Sequence, residues 1–250
     1  AVPVIGLIVV VLLTENVIAI LTTYFALTIA ISASMYVWAL RHYRINTHPA
    51  TPKDAQETMR YGKHLSIMSG ISQASDYVDQ LLLWHVAGPV QLATYAFALA
   101  PVRELRNLSE NVFPLIFPKY VVKTVAEMKE SVPLRAGQLA VFLLITAILY
   151  IVAAPFIFQI MFPQYLSAVL PSQILAVGLV FQAKGIVDAM LYAKGNARLR
   201  YIAVTTTQVA KVVFWIVLIP LYGIIGAVIG LVAADAASSL VFWWAYRKLV

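Results

Sequence analysis

The sequence predicts an all-α, polytopic membrane helix bundle of eight transmembrane segments, the first of them truncated. Three observations lead there. Hydrophobic residues make up 62% of the chain and charged residues 12%, with a mean hydropathy of +0.85, whereas soluble domains average roughly 45–50% apolar and about 25% charged. Apolar runs long enough for a bilayer core, roughly 20 residues for about 30 Å, recur along the whole chain. The basic residues fall on every second connection between those runs, as Lys and Arg do in membrane proteins.

Residues 1–13 are apolar but short for a span. They read as the rear of a helix that begins upstream, so the chain reads as a portion of a longer polytopic protein. Thr14-Glu15-Asn16 turns it, and 17–40 crosses next. The charged connection 41–63 carries Arg41, Arg44, Lys53, Arg60 and Lys63. Within it, Thr51 as N-cap and Pro52 at the first helical position predict a short surface helix over 52–61. Residues 65–85 and 91–118 form a hairpin about the uncharged turn 86–90. Pro101 and Pro114 are expected to kink or break its return helix, because each removes a backbone donor. A basic connection, 119–135, leads to the span 136–162, with Pro155 near its outer end. Residues 163–165 turn the chain, and 166–192 crosses back, interrupted at Pro171 and Gly178. A third basic connection, 194–200, precedes the spans 201–219 and 224–246, which the turn 220–223 joins and Arg247-Lys248 closes.

The connections test this assignment. The turns 14–16, 86–90, 163–165 and 220–223 contain no Lys or Arg; the others hold every basic residue except Arg103, Arg106, Lys184 and Lys211, which lie inside spans. That alternation puts the basic loops and the C-terminus on the cytoplasmic side. Trp38, Trp84, Tyr165, Tyr222 and Trp243 sit near span ends, where amphipathic rings favour the interface. The net charge of +7 is confined to short loops, which suits an anionic membrane leaflet and argues against nucleic acid as a partner. The absence of Cys excludes disulfides and thiolate metal sites, and the four His show no ligand spacing. No cofactor or metal is expected.

Charges at membrane depth are costly and mark a pathway by default. At about 1.5 Å per residue, Asp76 and Arg103 fall at similar depth on the first hairpin and are expected to pair, with Asp79 about one turn further out. Arg103, Arg106 and Glu110 share a helix face, from which Glu104 points about 100° away. Lys184 and Asp188 form an i,i+4 pair, and Lys211 and Asp235 lie near the middles of adjacent helices and can pair across them. Two guanidiniums on one face suit a diphosphate, because Arg forks match phosphate oxygens and stay charged. Lys184 and Lys211 add positive potential. Asp76, Asp79, Glu104, Glu110, Asp188 and Asp235 are the candidates for ion coupling or for compensating the cations. Gln73, Asn107, Asn111, Gln138 and Gln208 suit sugar hydroxyls or bonds between helices. Gly223, Gly226 and Gly230 have small-residue spacing that permits close helix packing, and Trp84 and His85 read as interface anchors.

Several motifs carry a resemblance. Asp79-Gln80-Leu81-Leu82-Leu83, Ala87-Gly88-Pro89 and Ala93-Thr94-Tyr95-Ala96 resemble the seventh and eighth helices of polysaccharide (O-antigen-type) flippases of the multidrug/oligosaccharidyl-lipid/polysaccharide exporter superfamily. Phe162-Pro163-Gln164-Tyr165, with Ala168 and Gln173-Ile174-Leu175, is similar to that family's ninth-to-tenth helix junction. Ile219-Pro220-Leu221-Tyr222-Gly223-Ile224-Ile225-Gly226-Ala227 is similar to its eleventh-to-twelfth hairpin. The resemblance runs from about Arg60 to the C-terminus and more faintly before it. It implies the C-terminal part of a two-lobed transporter: 1–40 as the last two helices of an N-terminal lobe, 41–63 as the interlobe loop and 64–250 as a six-helix lobe. The implied function is non-enzymatic: flipping a polyprenyl-diphosphate-linked oligosaccharide across the cytoplasmic membrane by alternating access, for cell-surface polysaccharide such as lipopolysaccharide O-antigen. Membrane lipids, a polysaccharide polymerase and chain-length machinery are the implied partners. Arg103 and Arg106 would hold the diphosphate. A cation-coupled multidrug exporter is the alternative within the superfamily. A membrane-embedded glycan-processing enzyme fits less well, because the outer loops are tiny and uncharged and no nucleophile–base arrangement stands out.

Overall fold

In a computed structural model, the described residues are 10, 16–42, 56, 59, 62, 63, 66, 70, 73, 75, 77–110, 120, 121, 124–193 and 197–249. Among them the chain is helical, with no strand. The expected span 1–13, apart from residue 10, most of the surface helix 52–61, and Pro114 lie outside the described residues. The chain divides into two units, Ala1–Leu65 and Ser66–Val250.

The first unit holds α1, Val17–His42. Asn16 caps it, its Oδ1 accepting from Ile18 N at 3.0 Å. Thr22, Thr28 and Ser34 donate their hydroxyls to the carbonyls of Ile18, Tyr24 and Ala30, four residues back. A hydroxyl among lipid tails has no water to bond, and the helix's own carbonyls satisfy it.

In the second unit, α2 runs Val78–Glu110 and leaves helical geometry at Gly88, with φ 82°. The Tyr95 hydroxyl donates to Asp79 Oδ2, although sixteen residues of straight helix would separate them by about 24 Å. The helix therefore doubles back at Gly88, and the expected hairpin is present. Its turn is a single residue with positive φ rather than the five-residue loop 86–90. The backbone stays helical through Pro101, and Gly88 is the one non-helical residue inside α2.

The helix α3, Val125–Met161, begins eleven residues before the predicted span. A capping box starts it inside the expected basic loop: Thr124 Oγ1 accepts from Glu127 N, and Glu127 Oε2 accepts from Thr124 N at 2.8 Å. Leu143, Ala147, Tyr150, Ala154 and Phe158 form its buried stripe, while Phe142, Ile145, Leu149, Val152 and Phe156 are exposed. A helix apolar on every side faces lipid rather than water.

A 3₁₀ turn, Pro163–Ala168, leads into α4, Val169–Val177; a second 3₁₀ stretch, Gly178–Ala183, leads into α5, Lys184–Ala193. The predicted interruption at Gly178 is thus a change of winding. Pro171 lies in the first turn of α4, where a missing N–H costs least. Last comes α6, Ala197–Leu249, which leaves helical geometry at Gly223, φ 56°. Thr207 Oγ1 and Ser238 Oγ are 2.9 Å apart, where a straight helix would hold them about 46 Å apart. So α6 is also a hairpin. A Cβ on Gly226 would overlap the Leu218 carbonyl oxygen, and one on Gly230 would come within 2.9 Å of Trp215 Cδ1. The close-packing role expected of Gly226 and Gly230 is observed, while Gly223 makes the turn.

Two prolines in α3 leave carbonyls without their usual i+4 donor, and other helices supply one. Pro155 orphans the Ile151 carbonyl, which accepts from Gln173 Nε2 at 2.9 Å. Pro133 orphans the Lys129 carbonyl, which accepts from the Tyr246 hydroxyl at 3.0 Å. A backbone acceptor left bare in an apolar interior costs about 1–3 kcal/mol.

Two apolar cores fill the bundle. One gathers Leu83, Tyr95, Phe158, Leu175, Leu179, Trp215 and Leu231; the other gathers Tyr120, Met128, Ile186, Met190, Phe242 and Tyr246. Lys184 and Asp235 fall in sequence between residues of the first core and residues of the second. The three uncharged turns of the second unit lie at one end: Ile224 N donates to Gln91 Oε1, and the Phe97 ring stacks on Tyr165 at 3.7 Å. Among the described residues, five helical stretches are long and apolar enough to cross a membrane, and they mark a multi-pass membrane protein.

Candidate functional site

The α2 hairpin lays Val78–His85 antiparallel to its return limb. Arg103 and Arg106 lie on that limb and line a cleft of about 300 Å³. Its polar lining is Gln73, Tyr77, Arg103, Arg106, Asn107 and Lys211; its apolar lining is Leu99, Val102, Leu175, Trp215 and Leu231. Lys211 lies with its Nζ 5.3 Å from the Trp215 ring centroid, one helical turn along α6. An aromatic face in a poorly hydrated setting stabilises a cation there.

Behind the cleft lies an ionic cluster. Arg106 Nη2 donates to Asp235 Oδ2 at 2.6 Å, and Lys184 Nζ donates to Asp235 Oδ1 at 2.8 Å. The Asp235 side chain is only 9% exposed, Lys184 14% and Arg106 23%. At this burial the Coulomb attraction is several-fold stronger than in water, and removing one member leaves an uncompensated charge. Asp79 is the second buried carboxylate, 3% exposed. It accepts from Tyr95 and from Gln80 N.

These contacts correct several expected pairs. Lys184 does not pair with Asp188, and Asp235 does not pair with Lys211. Asp188 instead takes Arg200, with Nε–Oδ1 2.8 Å and Nη2–Oδ2 3.4 Å, across the connection to α6. Lys184, which follows the 3₁₀ stretch, reaches Asp235 on α6; Asp235 lies on the buried Val228–Leu231–Ser238 stripe, and Lys211 lines the cleft. Arg106 is bound to Asp235, and Arg103 is the more exposed of the two. Glu104 is exposed and does not line the cleft. Asp76 and the Glu110 side chain lie outside the described residues, and with them the expected Asp76–Arg103 pair.

Of the four expected binding cations, the fold brings Arg103, Arg106 and Lys211 to one cleft and places Lys184 behind it. The residues not singled out from sequence are Tyr95, Tyr77, Trp215 and Arg200. Tyr95 had a signal: it stands seven residues after Gly88 and Asp79 nine before it, so a tight hairpin sets them side by side. No group of three or more His, Cys, Asp or Glu that could hold a metal occurs among the described residues.

Comparison with known proteins returned nothing. No family model, no curated protein and no solved structure matches the chain.

Proposed function

We propose that this protein is a transporter that flips a polyprenyl-diphosphate-linked oligosaccharide across the cytoplasmic membrane by alternating access. The observation that carries the reading is the convergence of Arg103, Arg106 and Lys211 on one cleft that apolar side chains also line. A lipid-linked sugar is amphipathic at the same scale. Its diphosphate suits guanidinium forks and an ammonium; its first isoprene units suit Leu99, Leu175, Trp215 and Leu231; its sugar hydroxyls suit Gln73, Tyr77 and Asn107. On this reading the chain has eight membrane segments, with the basic loops and C-terminus cytoplasmic. Residues 64–250 form one lobe of a two-lobed transporter that rocks about the site. A polysaccharide polymerase and chain-length machinery would take up the delivered unit. Replacing both Arg103→Ala and Arg106→Ala is expected to abolish transport of lipid-linked oligosaccharide into the outer leaflet of vesicles. Transport at the original rate by a normally inserted double variant would refute the reading.

The buried Asp79 carboxylate beside the cleft favours a second reading, a cation-coupled drug exporter. Sensitivity of a deletion strain to cationic drugs with intact surface polysaccharide would select it; loss of surface polysaccharide selects the first.

A further inference from the structure

Asp235 is tied to two cations from different elements. One oxygen takes Arg106 of α2 and the other takes Lys184 at the start of α5. Arg106 lines the cleft, whereas Asp235 and Lys184 do not. An arginine has a long stem with many rotamers, and its planar fork recognises a phosphate only in the right orientation. Anchoring Nη2 at 2.6 Å removes most of those rotamers. A carboxylate bonded through a single oxygen could still turn, but Lys184 at 2.8 Å holds the second oxygen. The anchor for Arg106 is therefore itself fixed on both sides.

We infer that Asp235 is the positioning residue of this site, holding Arg106 in the orientation that a diphosphate group in the cleft requires. The inference rests on the reading of the cleft as an anion site. It has an unusual sign. Asp235 carries a negative charge beside a cationic cleft, so Coulomb's law alone says that neutralising it tightens anion binding. A positioning role says the reverse, because Arg106 released from Asp235 must be reoriented by each ligand. A purely structural role lowers stability and leaves the affinity of the folded protein unchanged.

The test is calorimetric titration of the intact protein in lipid nanodiscs with two probes, inorganic pyrophosphate and farnesyl diphosphate. Asp235→Asn is expected to weaken both by about tenfold or more. Asp235→Glu, which keeps the charge but moves it by one methylene, is expected to weaken them by about threefold. Adding Arg106→Ala to Asp235→Asn is expected to cost little more, since the two act as a unit. Unchanged or tighter binding by folded Asp235→Asn overturns the inference. If that variant does not fold, Asp235→Glu decides, and unchanged affinity again overturns it. If the native protein binds neither probe, or binds them equally well after Arg103→Ala and Arg106→Ala, the anion-site reading fails and the inference falls with it. Tighter binding of farnesyl diphosphate than of pyrophosphate assigns the ligand to a lipid rather than a free diphosphate.

Discussion

Tyr95 decides whether Asp79 can stay where it is. The carboxylate is buried in an apolar core, and the phenol is its side-chain donor. Tyr95→Phe removes that donor and nothing else of the ring. It is expected to destabilise the protein by about 1.5–3 kcal/mol, the range for a hydrogen bond to a charged group, measured by unfolding in mixed detergent micelles. A change under about 0.5 kcal/mol would mean that Asp79 is satisfied without it. The intramembrane charges themselves were legible as residues, because an Asp or Arg in an apolar run needs a reason. Their partners were not. Asp235 and Lys211 stand twelve residues on either side of Gly223, and depth alone makes them a pair; the rotation of each helix about its axis separates them.

At the scale of the element, helix breakers became helix interiors. Pro133 and Pro155 sit inside α3 because Tyr246 and Gln173 bond the carbonyls they orphan. Gln173→Leu keeps the bulk and deletes the donor to Ile151. The expected cost is about 1–3 kcal/mol, read from the thermal midpoint, and no shift would show that the carbonyl finds another donor. Inside α2 and α6 the breaks fall at glycines with positive φ. Gly223 places an added Cβ 2.9 Å from Gln91 Oε1, in backbone geometry that costs other residues about 1–3 kcal/mol. Gly226 is stricter, because its neighbour is the Leu218 backbone, which cannot move aside. Gly226→Val is therefore expected to prevent the α6 hairpin from closing, seen as loss of folded monomer on size exclusion. Gly223→Ala is expected to fold with reduced stability. The reverse order of severity would contradict the packing seen here.

At the scale of the molecule, the turns at Gly88, Pro163 and Gly223 gather at one end of the second unit. Sidedness can be read directly because the chain contains no Cys. Single substitutions Tyr222→Cys and Trp84→Cys are expected to label with an impermeant maleimide from outside intact cells. Lys248→Cys is expected to label only after the membrane is opened. Labelling of all three from one side would overturn the orientation drawn from the basic loops.

The amino-acid sequence by itself determined the solvent, the helical class and the alternation of loops. These follow from hydropathy and from where Lys and Arg stand, and both are properties of single residues and short windows. It also marked Arg103, Arg106 and Lys211, since charges in apolar runs stand out without any knowledge of the fold. Only the tertiary structure decided which carboxylate holds which cation, how the proline carbonyls are satisfied, and that three of the cations share a cleft while Lys184 stands behind it. Those outcomes depend on helix rotation and on partners up to 129 residues apart. A buried charge takes the oppositely charged group that packing brings within about 3 Å, and sequence spacing does not set that distance.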